Sequence, residues 1–135
     1  MMETDFAERR RHIRVFFDSL EETSCRFTPA GQAAEALSAS VLDLSLGGMH
    51  LTVKGTPSLA AGDRFTLTRL SHRTGPVCEE EIPMEIRWVF TRTEFSRLYM
   101  GCQFLYLPEK SRSHIANLIS VKLLETSSAR ISVLR

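Results

Sequence analysis

The segment EIPMEIRWVF, residues 81–90, sets Ile82, Met84, Ile86, Trp88 and Phe90 at a spacing of two. A period of two is the repeat of a strand with one buried face, so the stretch reads as a β-strand directing those five side chains at a core. Outward from it, RFTLTRL at 64–70 and MHLTV at 49–53 alternate in the same way, and Ala39–Leu44 and Leu98–Leu107 add two more β-like runs. IRVFF at 13–17 and the short run Cys25–Thr28 read as one long or interrupted first strand. Turns are marked at Pro29–Gly31, at Ser45–Gly48 and in AAGD at 60–63. QAAEAL, residues 32–37, is too short to hold a helix alone and reads as a loop.

The strands number six or seven, and a single helix follows them. Beyond Pro108, residues 109–125 place Ile115, Leu118, Ile119 and Leu123 at intervals of three and four, one apolar stripe on a polar helix. Many short strands ended by one helix argue for an all-β antiparallel barrel or sandwich with the helix packed across one opening. At 135 residues the chain fits one domain. The expected division is a charged N-terminal arm at 1–13, a body at 14–125, and a tail or extra short strand at 126–135.

Composition narrows the function classes. Hydrophobic residues make up 43% and charged residues 24%, the balance of a globular protein, and the net charge of +1 predicts no general attraction to nucleic acid or an acidic membrane. Any anion site must be local. The three cysteines, Cys25, Cys78 and Cys102, are odd in number and widely spaced, so neither a disulfide framework nor a metal site is expected, and Cys102 reads as a small core hydrophobe. No stretch is apolar enough to span a bilayer and the N-terminus lacks the apolar segment of a signal peptide, so the expected compartment is the cytoplasm. His12, His50, His72 and His114 have no metal spacing and no serine or cysteine lies in a nucleophile motif, which argues against an enzyme.

Two motifs carry chemistry. RRRHIR at 9–14 gathers Arg9, Arg10, Arg11 and Arg14, whose planar guanidinium forks suit phosphate oxygens, the edge of guanine and the face of a purine. Read as a helix it would bring Arg10 and Arg14 onto one face to repel, whereas an extended arm lets alternate side chains reach different groups. DLSLGG at 43–48 sets Asp43 and Ser45 two apart at a strand end, with Gly47 and Gly48 leaving room and backbone freedom beside them. Such a polar notch could accept the N–H edge of guanine, or it could be a turn whose side chains bond their own backbone.

Together these motifs resemble the PilZ domain family: Arg10 and Arg14 match its RxxxR motif, and Asp43, Ser45 and Gly48 its [DN]xSxxG motif. Gly101 and Phe104 in YMGCQFLYLP are similar to its GxxF strand, and the likeness covers roughly residues 8–124. The resemblance implies a six-stranded antiparallel β-barrel with a C-terminal helix that binds cyclic di-GMP without altering it. It implies ligand-binding roles for Arg9, Arg10, Arg14, Asp43, Ser45, Gly47 and Gly48, no cofactor, and an intercalated pair of ligand molecules through Arg9. The arm would fold over the barrel on binding and create a surface for an unidentified downstream protein in motility, exopolysaccharide or adhesion control, the receptor being a monomer or homodimer. Two rivals stand beside this reading: a protein–protein adaptor of the same fold that binds no nucleotide, and a small barrel that binds RNA, which the charge balance disfavours. His50, just beyond DLSLGG, reads as a partly exposed strand residue and stays outside the expected site.

Overall fold

The computed structural model describes residues 12–30, 35–73 and 75–134, with 127–134 described by backbone alone. Its strands are β1 (Val15–Phe16), β2 (Thr23–Pro29), β3 (Leu37–Leu44), β4 (Gly48–Lys54), β5 (Arg64–His72), β6 (Gly75–Cys78), β7 (Ile82–Arg92) and β8 (Arg97–Phe104), followed by the helix α1 (Glu109–Leu134). Six of them close a ring in the order β3-β2-β5-β7-β8-β4, with β4 returning to β3, and neighbours in the ring run antiparallel. Closure gives every ring strand a partner on each side, although β7 beyond Ile86 pairs with β8 alone. Two short strands lie off the ring, β1 against β3 and β6 against β5.

Alternation sends one side chain in two to the barrel interior. Phe27, Val41, Leu51, Leu67, Ile82, Met84 and Met100 have no exposed surface there, and Phe27 meets Phe65 edge to face at 5.2 Å. Each such side chain contributes about 1.5–3 kcal/mol on burial. Cys102 packs in the same core, where burial pushes its thiol up to about 12. The helix opens after Pro108, whose carbonyl accepts from the Arg112 amide at 2.8 Å, and it lies against β1 and β6 with Ile115, Leu118 and Ile119 buried. No helix among the described residues is long and apolar enough to cross a membrane.

Three expectations are corrected. Trp88 and Phe90 do not continue the buried face of Ile82, Met84 and Ile86: they are 43% and 53% exposed. Ile86 pairs with Cys102 but Trp88 pairs with Gly101, so Arg87 is an extra residue in β7, and the bulge turns everything beyond it to the opposite face. The inward position passes to Val89, which packs against the core. On the helix, Leu123 is 37% exposed and its place beneath is taken by Lys122 at 5%. The helix also runs past residue 125 to Leu134, through the stretch read as a tail or short strand.

Candidate functional site

A second bulge builds the site. Val41 pairs with Leu51 and Asp43 with His50, leaving Leu42 as the extra residue of β3. Without that residue Asp43 would follow Ala39 and Val41 into the core; with it, Asp43 joins the outer face beside His50 while Leu44 returns to the inside opposite Met49. β1 pairs with the same end of β3, Phe16 opposite Asp43, and its alternation buries Val15 while keeping Arg14 and Phe16 on the outer side. One row of side chains therefore crosses four strands of the barrel wall: Arg14 beside β1, Asp43 on β3, His50 on β4, and Trp88 of β7 lying over Gly101 of β8.

Asp43 is the hub of that row. Arg14 Nη1 donates to one carboxylate oxygen, and His50 Nδ1 lies 2.6 Å from the other. Asp43 is only 4% exposed, so its carboxylate aims the arginine and the imidazole more than it presents itself. The imidazole in turn rests against the Trp88 indole, with ring centroids 5.2 Å apart. Arg14 keeps most of its guanidinium donors uncommitted to Asp43 and remains partly exposed.

The turn below the row is braced by its own atoms. Ser45 Oγ accepts from the Gly47 amide at 3.1 Å and donates to the Gly48 carbonyl at 3.4 Å, and the Ser45 amide donates to that carbonyl at 2.9 Å. Ser45 is almost fully buried, so it serves the turn in the backbone-bonding way that competed with a guanine-facing role. Neither glycine here has a positive φ; Gly48 is required for room against the backbone of β8, and Gly47 lets the His12 ring lie close. A Cβ on Gly47 would meet His12 Nδ1 at 2.7 Å, and one on Gly48 would run into the Cys102 carbonyl where β4 and β8 come close.

These groups surround a cavity of about 540 Å³ in the barrel wall. That is within the range of sites that enclose a small-molecule ligand. Of the residues expected from sequence, Arg14, Ser45, Gly47 and Gly48 line it and Asp43 sits beneath Arg14 and His50; Arg9 and Arg10 lie outside the described residues. Sequence reasoning missed His12, Arg87, Trp88 and Gln103 and set His50 aside, yet all five line the cavity. One signal could have found Trp88: Gly101 stands directly opposite it, and a Cβ at Gly101 would collide with the indole.

The described residues thus form a closed six-stranded antiparallel barrel joined to a C-terminal helix, with a basic and aromatic cavity on its outer wall. The family model of the PilZ domain matches residues 8–120, and the chain belongs to that family. Among solved structures it is similar to the PilZ domain of YcgR from Escherichia coli with c-di-GMP, with a TM-score of 0.66 and 19% identity, covering 90% of this chain and 97% of that one. It is similar also to the K. pneumonia MrkH–c-di-GMP complex, with a TM-score of 0.65 and 22% identity over 88% of this chain. The Bacillus subtilis inhibitor of motility MotI/DgrA has a TM-score of 0.66 at 13% identity over 87% of this chain. This chain spans 53% and 52% of the last two, about half of each. No curated protein sequence matches it.

Proposed function

We propose that this chain is a cyclic di-GMP receptor that holds the nucleotide in the outer-wall cavity and passes the signal to a partner protein, without chemically changing the ligand. The observation that carries the reading is the row Arg14–Asp43–His50–Trp88 along that cavity. A guanidinium fixed by a buried carboxylate suits a phosphate or the guanine edge, and the exposed indole offers a stacking surface for a base, an interaction of about 1–3 kcal/mol. Arg9, Arg10 and Arg11 lie just upstream in sequence and supply the further charge that a bis-phosphate ring needs, and Gly47 and Gly48 are among the residues that line the cavity. The reading extends to a change in the N-terminal arm: ligand phosphates neutralise the repulsion among its arginines and let it close over the barrel, forming the surface a downstream motility, exopolysaccharide or adhesion protein would read.

Calorimetric titration of the whole chain with cyclic di-GMP tests this, and the integrated stoichiometry separates one bound molecule from an intercalated pair. Trp88 is the single tryptophan, so its emission reports on the cavity directly. Arg14→Ala and Asp43→Ala are each expected to weaken binding about tenfold or more, because each removes a charged hydrogen-bonding group contributing about 1.5–3 kcal/mol. A flat titration with unchanged Trp88 emission would overturn the reading in favour of an adaptor that binds no nucleotide.

A further inference from the structure

On the same outer wall, four residue pairs along the strands from the His50–Trp88 row, Lys54 of β4 pairs with Arg97 of β8, and Arg97 with Arg92 of β7. Three cations thus stand in register on adjacent strands, within about 10 Å at ordinary strand spacing. Like charges directly opposite one another destabilise a sheet. Among the described residues only Arg92 has a carboxylate partner, Glu94 at 2.6 Å; Arg97 donates to Thr52 Oγ1 at 3.3 Å, and Lys54 is exposed with no acidic group against it.

Aromatic rings flank this row. The Arg92 guanidinium lies 5.1 Å from the Phe95 ring centre and 6.0 Å from that of Phe90, and both phenyl rings are more than half exposed. Tyr99 pairs with Phe90 beside them and is half-buried. Exposed phenyl rings around an arginine have the composition of a protein interface centre, where aromatic residues and Arg are enriched.

We propose that this end of the outer wall, centred on Lys54, Arg97, Arg92, Phe90 and Phe95, is a docking surface for an acidic segment of a partner protein that also carries apolar side chains. The three cations select an acidic occupant, and the rings require apolar groups between its charges. β8, which carries Arg97, is paired on both sides here, by β4 and β7, while β7 beyond Ile86 pairs with β8 alone; the occupant is held by the charged and aromatic side chains of the patch. A nucleic acid is less favoured, since the chain's net charge is +1 and a phosphate backbone calls for a longer basic track. The surface stands whether or not the cavity takes a nucleotide.

The test is fluorescence anisotropy on the full chain with a labelled peptide alternating glutamate and leucine. Glutamate–serine and lysine–leucine peptides, oligo-dT and phosphatidylglycerol vesicles serve as comparators. The glutamate–leucine peptide is expected to bind tightest, and the double variant Lys54→Glu/Arg97→Glu to weaken it about tenfold or more while gaining affinity for the lysine–leucine peptide. Phe90→Ser with Phe95→Ser should reduce it to the glutamate–serine level, and Arg14→Ala should leave it unchanged. Equal or tighter binding of oligo-dT or vesicles, or indifference to the charge reversal, would overturn the proposal. So would loss of peptide binding in Arg14→Ala, which would put the peptide in the cavity.

Discussion

Gly101 shows how one absent side chain sets the position of another. A Cβ there would collide with the Trp88 indole, an exposed side chain on the barrel's outer face that is free to swing aside. Gly101→Ala should therefore leave the melting temperature nearly unchanged while moving the ring off its wall of the cavity. The expected readout is a red shift in Trp88 emission and a weaker affinity for cyclic di-GMP; a strong loss of stability with unshifted emission would mean that the backbone, and not the ring, had given way. His72 gives a second residue-scale prediction. Its Nδ1 lies 2.8 Å from Thr23 Oγ1, its Nε2 is buried without a partner among the described residues, and burial, followed by the charge on Arg73, holds its pKa below the ordinary value of 6.5. The unfolded chain then binds more protons below that value, so stability should be full above it and decline as pH falls through the range between the unfolded and the lower folded pKa. His72→Asn keeps a polar partner near Thr23 and removes the titration; denaturation midpoints across this range should be flatter for the variant than for the parent.

At the scale of elements, the helix is fastened by charge as well as by its apolar stripe. Lys122 Nζ lies 3.0 Å from Glu22 and 3.4 Å from Asp18, in the connection between β1 and β2, and 5.8 Å from the Phe17 ring centre. Burial works against its charge, but the hydrogen bond and charge of Glu22, with help from Asp18, hold its pKa above the usual lysine value. Glu22 also keeps Arg73 at 3.4 Å. Glu22→Leu, which strips the buried ammonium of its enclosed partner, should cost about 3 kcal/mol, and Lys122→Met should cost less, because Glu22 retains Arg73 and the methionine packs beside Phe17. Urea denaturation of the two variants checks the order, and the reverse order would refute it. Lys122 was not legible in the helical stripe, which a sequence pattern completes with Leu123. The same limit applies to β7: a period of two projects Trp88 and Phe90 inward because alternation carries no mark of an extra residue, and only the partner strand shows Arg87 to be one. The sequence suggested that RRRHIR and DLSLGG belong to one site, but the bond of Arg14 to Asp43 rests on the pairing of β1 with β3, which no pattern in either motif reveals. That Asp43 faces outward at all depends on the bulge at Leu42, which the pattern does not reveal.

For the whole molecule, the closed ring decides how ligand binding would reach stability. The cavity wall is assembled from the β1, β3, β4, β7 and β8 regions, which are distant in sequence, so the site exists only when the ring is closed and an unfolded chain has no comparable affinity. Binding to the folded state alone stabilises by RT ln(1 + [L]/Kd), which is about 2.7 kcal/mol at a hundredfold excess over Kd and about 10 °C in melting temperature for a domain of this size. Cyclic di-GMP at that excess should produce a shift of this order in the parent. At the same nucleotide concentration Arg14→Ala should lose about half of the shift, since a tenfold weaker Kd removes about 1.4 kcal/mol. Differential scanning calorimetry provides the measurement. Equal shifts in parent and variant would locate binding away from the Arg14–Asp43 row, and a shift absent from both would leave the barrel without the proposed ligand.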